Sequence, residues 1–192
     1  MNKLAQDEGR AQESVLSSLV VIFFVALLWI VLFKINNLFS TWIGFSKYIA
    51  WIFLPAAIRM LSVLVFEWVG AIGLFFGALF TSESFTGDSF STALVISSLS
   101  ALGPVFAVAI CTKWLNLPRT LHGIGPRQIC LYSLMGATFN VIPHNLFLYG
   151  AGYMPNPFTG ILPMFIGDLA GTAIVIYLTS LILKLWMPAA RV

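Results

Sequence analysis

The chain has 192 residues, of which only 9% are charged and 15% aromatic, and its mean hydropathy is +0.96. A soluble domain of this size is not built from such a composition. The net charge of +3 comes from Lys and Arg lying between apolar runs, so it reads as a topology signal and not as a nucleic-acid footprint. The period-2 alternation of a barrel is absent, which leaves an all-α integral membrane bundle.

Residues 1–14 form a polar tail in which Lys3 and Arg10 stand against Asp7, Glu8 and Glu13. The apolar run at 15–33 is too long for a signal-peptide core and no small-x-small cleavage site follows it, so it is expected to stay as the first helix. From Lys34 to Ala50, the residues Leu38, Phe39, Trp42, Ile43 and Phe45 fall largely on one side of a helix that Asn36 or Asn37 would cap. This segment is predicted to lie in the outer interface.

Residues 51–66 and 69–81 are predicted to be two short helices joined by a turn at Phe66-Glu67-Trp68-Val69-Gly70. As one helix, 51–81 would be about 46 Å long against a hydrocarbon core of about 30 Å. Further helices are predicted over 92–112, 128–149 and 161–184. The total is six spans in a single domain at 15–187, or five if 51–81 is continuous, followed by a short tail at 188–192. Glu67, Trp51, Trp68, Trp114 and Trp186 read as membrane-edge residues, as does His122.

The 113–127 connection carries Lys113, Arg119, His122 and Arg127, whereas 82–91 and 150–160 carry no Lys or Arg. Positive-inside counting places 113–127 and the C-terminus in the cytoplasm. Counting alone leaves the N-terminus open, and the 51–81 hairpin would bring it to the same side. Gly70, Gly73 and Gly77 form one small-residue stripe, and Gly167, Ala170 and Gly171 another. They are read as helix-packing seams, with dimerisation as the alternative. Cys111 and Cys130 are read as reduced and structural.

Arg59 and Asp168 are charges inside apolar runs. Each costs at least about 2.5–3.5 kcal/mol in hydrocarbon if left unpaired. In the six-span topology Arg59 lies about 12 Å and Asp168 about 10 Å from the outer face, at 1.5 Å per residue. They are expected to pair, with bidentate geometry open to them. Asn140 and His144, at i, i+4, share a helix face at the same level, and Pro143 frees the carbonyl of Phe139 there. Such a cluster can lock helices, form a ligand- or partner-binding pocket open to the outside, or carry protons.

Catalytic chemistry has little support. The two His residues lie on different segments, paired carboxylates are missing, and the Ser residues of 80–100 have no nearby base. No catalytic residue and no metal site is assigned, and the sequence leaves any cofactor open. The expected partners are the lipid bilayer, other membrane proteins and a small-molecule ligand, without nucleic acid.

Leu54-Pro55-Ala56-Ala57-Ile58-Arg59, running on through Gly70, Gly73 and Gly77, resembles the Pro-then-small helix and Gly-rich second helix of MASE1-type bacterial membrane sensory domains. Gly167-Asp168-Leu169-Ala170-Gly171 is similar to the Gly-Asp-x-x-Gly segment of their last helix. The resemblance spans about residues 50–184. It implies a sensory role in signal transduction at the bacterial inner membrane. The departures are Leu54-Pro55 where the family has an aromatic-Pro pair, a charge at Arg59, and fewer spans than a full domain. Such domains usually precede a signalling module, and a chain ending at Val192 is expected to be a stand-alone version that signals through a partner. Two other roles compete: an accessory subunit of a larger membrane complex, and a small substrate-binding transport component.

Overall fold

The computed structural model describes residues 2–39, 42, 44–46, 48–86, 90–117 and 124–186, with the backbone alone for 2–13 and 83–86. Among these, five helices and one small hairpin follow in the order α1 (Asn2–Leu38), β1 (Gly44–Ser46), β2 (Ile49–Ala50), α2 (Ala56–Thr86), α3 (Phe90–Lys113), α4 (Pro126–Gly150) and α5 (Ile161–Trp186). Four helices carry stretches long and apolar enough to cross a membrane: Ser14–Leu38 of α1, Ala56–Ser82 of α2, all of α3 and all of α5. The chain is therefore a helical membrane protein. α4 is as long, at 25 residues, but Asn140, His144 and Asn145 dilute its apolar character. All three are buried, so its polar side faces the protein.

α2 is central and packs on all four other helices. It is not straight. Glu67 has φ 51° and ψ −128°, the dihedral values of the first central position of a type II′ turn, which favours glycine. Both arms beyond the break reach the same side chain of α1. Arg59 lies over the Trp29 ring at 5.5 Å, and Thr81 accepts a hydrogen bond from Trp29 Nε1 at 3.0 Å. A straight helix would hold residues 59 and 81 about 33 Å apart. The chain therefore doubles back at Glu67, and a Cβ at Gly70 would collide with the carbonyl of Ser62 on the facing arm.

This turn makes a prediction. Glu67→Gly should keep the fold, whereas Glu67→Pro should destroy it because the proline ring cannot adopt a positive φ. The readout is monodisperse protein in size-exclusion chromatography. A well-behaved proline variant would contradict the turn.

α1 offers α2 one stripe, with Val25, Ala26, Trp29, Phe33 and Asn36 buried, while Leu19, Val20, Phe23, Phe24 and Leu27 are exposed as lipid-facing residues would be. Glycines let the second arm of α2 close on it. A Cβ at Gly73 would stand 2.8 Å from Val25 Cβ, and one at Gly77 2.8 Å from Trp29 Cβ. Without a hydrophobic drive between helices in lipid, such close approach is what holds them together. On the other side of the bundle, Phe139 has lost its usual helical donor to Pro143. Its carbonyl lies 3.0 Å from where a Cβ of Gly103 on α3 would stand.

The interfacial helix expected at 34–50 is not what forms among the described residues. α1 continues to Leu38, and β1 and β2 make a short antiparallel hairpin. Residues 40, 41, 43 and 47 lie outside the described set. Instead of capping a helix, Asn36 turns inward, and its Oδ1 accepts the Leu54 N–H at 2.9 Å. Arg119 and His122 also fall outside the described residues. Cys111 is buried and Cys130 exposed, both as free thiols.

Candidate functional site

Between β2 and α2 the chain runs from Trp51 to Pro55 as neither helix nor strand, and this strap, with Ala50 at its start, organises the site. Its backbone is fixed from two sides: Leu54 N–H by Asn36, and Phe53 N–H by the carbonyl of Gly167 at 3.0 Å. A Cβ at Gly167 would collide with the Ala50 carbonyl, and one at Gly171 with the Phe53 carbonyl. The α5 glycine stripe thus receives the non-helical backbone of the strap and not the helix expected from its spacing. Pro55, fully buried, then opens α2, and Ala56, Ala57 and Ile58 donate to the carbonyls three residues back.

The strap sets Phe53 beneath Arg59, with the guanidinium carbon 4.9 Å from the ring centroid. Arg59 Nη1 donates to Asp168 Oδ2 at 2.8 Å. Asn140 Nδ2 donates to the same oxygen at 2.7 Å. His144 Nδ1 lies 2.8 Å from the Asn140 carbonyl. A carbonyl only accepts, so Nδ1 carries the proton. His144 Nε2 faces Ser100 Oγ at 3.4 Å. Thr172 completes the group by donating its hydroxyl to the Asp168 carbonyl at 2.7 Å.

Arg59, Asp168, Asn140 and His144 therefore meet, on α2, α5 and α4, and each is at most 5% exposed. The pair is not bidentate. Among the described residues Asp168 Oδ1 and Arg59 Nε are buried with no hydrogen-bond partner, and so are Asn140 Oδ1 and Asn145 Oδ1. A single-point contact leaves both charges incompletely satisfied, which in a low-dielectric interior is a costly arrangement to keep for packing alone.

Above the cluster lies a cavity of about 380 Å³. Arg59, Asp168 and His144 line its polar floor, and Trp29, Phe33, Phe53 and Tyr48 contribute aromatic walls. The β1 residues Gly44 and Ser46 line it too, and both are exposed, which puts its mouth at the hairpin. The four cluster residues stand out in the sequence as polar groups in apolar runs. Trp29, Phe53 and Ser100 do not, because an aromatic or a serine inside a spanning helix carries no comparable signal.

The remaining sequence candidates are peripheral. Glu67 is exposed at its turn, and Trp51, Trp68, Trp114 and Trp186 are 40%, 60%, 74% and 84% exposed. None of them belongs to the Arg59–Asp168 cluster. No protein-family model, no curated protein and no solved structure matches the chain.

Proposed function

We propose that this chain is a non-enzymatic sensory domain of MASE1 type in the bacterial inner membrane, receiving a small ligand in the cavity above Arg59 and Asp168. One observation carries this reading. A buried guanidinium whose one hydrogen-bonded contact among the described residues is to Asp168 lines a cavity that reaches exposed residues. The ligand competes for the Arg59–Asp168 contact and thereby shifts the first arm of α2 against α5. Such a shift requires different affinities for the two arrangements.

In this proposal the chain crosses the membrane six times. The two arms of α2 count separately, the first being completed by the strap, and α4 crosses with its polar side inward. The termini and the 113–127 connection then lie in the cytoplasm, as the basic residues there favour.

The test is ligand-dependent stability. Fractionated small-molecule extract of bacterial membranes and periplasm should raise the melting temperature of the purified protein, since a ligand that binds only the folded state stabilises it. Ser46→Trp, which narrows the mouth without touching the cluster, should blunt the shift. A shift of equal size in that variant would contradict the assignment of the cavity.

A second reading, the accessory subunit, has its own observation. Residues 177–186 of α5 are exposed around the whole helix, as though another protein or lipid covered them. Mild-detergent purification with a stoichiometric set of protein partners and no extract-dependent stabilisation would favour it. A binding component of a transporter shares the ligand claim and differs only in what it delivers the ligand to.

A further inference from the structure

Resting on the reading of the cavity as a ligand site, we propose that its ligand is a neutral, flat, largely apolar molecule presenting a carbonyl acceptor to Arg59, of quinone or aryl-ketone type. Charge decides the first attribute. Asp168 balances Arg59 at 2.8 Å, and His144, with Nδ1–H on the Asn140 carbonyl and Nε2 toward the Ser100 hydroxyl, is satisfied as a neutral imidazole. The floor is thus neutral as it stands, and a charged ligand would leave a net charge buried among apolar walls, which costs several kcal/mol.

Hydrogen bonding decides the second. Arginine donates and never accepts. Of its nitrogens, Nη1 is used by Asp168 and Nε is sealed, while Nη2 has no hydrogen-bond partner among the described residues and is not sealed. A carbonyl oxygen is the neutral group that answers such a donor. The Asp168 carboxylate is occupied at Oδ2 by two donors, and its partnerless Oδ1 is sealed as Nε is, so it offers a ligand donor no open acceptor.

Shape decides the third. Phe53 stands edge-on to Trp29, with centroids 6.0 Å apart, and to Phe33, 6.5 Å apart. Flat rings pack on such walls by stacking and edge contacts. A volume of about 380 Å³ sits near the lower end of small-molecule sites, about 300–1,000 Å³, and suits one or two fused rings. Such a ring can arrive from the aqueous side or as the head of an isoprenoid lipid, and the chemistry at Arg59 is the same for both.

The experiment is equilibrium dialysis of the full chain in lipid nanodiscs, with bound probe quantified by mass spectrometry. Four probes are compared: 2-methyl-1,4-naphthoquinone, the same ring with an isoprenoid tail, naphthalene and 1-naphthoate. The tail-less quinone should bind at least about 10-fold more tightly than naphthalene, the equivalent of one hydrogen bond to a charged donor. It should also bind more tightly than naphthoate. Arg59→Met combined with Asp168→Leu should erase the preference for the quinone over naphthalene.

If the tailed ring binds more tightly still, the ligand comes from the membrane; if the tail adds nothing, it comes from the aqueous side. Both outcomes support the proposal. Naphthoate as the tightest probe would overturn the neutral-carbonyl class while leaving the cavity as a binding site. Equal affinity of the wild type for quinone and naphthalene would overturn the proposal even if the double variant fails to fold. No binding of any probe, together with no extract-dependent stabilisation, would overturn both this proposal and the reading beneath it.

Discussion

Asp168→Ala is expected to lower the unfolding stability of the detergent-solubilised protein by about 3–5 kcal/mol, the penalty for breaking a buried ion pair from one side. The size follows from what is left behind. Arg59 would keep its charge inside the bundle with only the Phe53 and Trp29 faces for company, and Asn140 Nδ2 would lose its acceptor. Arg59→Met combined with Asp168→Leu should recover most of the loss, because apolar residues of similar volume often replace a buried pair at little cost. Equilibrium unfolding in mixed micelles, arranged as a double-mutant cycle, measures the coupling directly. A loss below about 1 kcal/mol for Asp168→Ala would mean that the pair is solvated.

The second large effect belongs to the α5 glycines. At Gly171 an added methyl group would collide with the Phe53 carbonyl, and at Gly167 with the Ala50 carbonyl. Both obstacles are backbone, so neither can rotate away as a side chain would. Gly171→Ala and Gly167→Ala should each cost at the upper end of the overpacking range, about 1–3 kcal/mol. They should also weaken ligand binding, because the strap they displace carries Phe53 under Arg59. Gly150→Ala is the control. A Cβ there would meet nothing within 4 Å, and its expected effect is neutral or slightly stabilising. Thermal unfolding with and without ligand separates the two consequences, and unchanged stability in Gly171→Ala would remove the strap from the account.

How much of this was legible in the sequence differs from residue to residue. Arg59, Asp168, Asn140 and His144 announce themselves because polar side chains in spanning helices must find partners, and counting residues from the membrane edge already places them at similar depth. The turn at Glu67 was readable from length and from the Glu-Trp-Val-Gly stretch that follows Phe66. The strap was not readable. Its docking depends on Asn36 reaching Leu54 and on Gly167 accepting from Phe53, contacts between residues far apart in the chain that no local pattern encodes.

The 34–50 segment failed for a related reason. A one-sided spacing of apolar residues fits a helix locally, yet β1 pairs with β2, and Gly44, Ser46, Ile49 and Ala50 line the cavity. α4 shows the opposite case. The inward-facing Asn140, His144 and Asn145 dilute its apolar character, and it is not among the four helices long and apolar enough to cross a membrane. A helix that turns polar side chains toward a buried site is for that reason hard to recognise as a span by hydropathy.

The claim at the centre of this account is that the cavity over the Arg59–Asp168 pair holds a small molecule. Native mass spectrometry of the protein extracted from its own membranes in mild detergent tests it most directly. The account predicts one bound small molecule per wild-type chain, lost from the Arg59→Met, Asp168→Leu double variant. Retention of the same molecule by that variant would contradict it, as would a wild-type chain that carries stoichiometric protein partners and no small molecule.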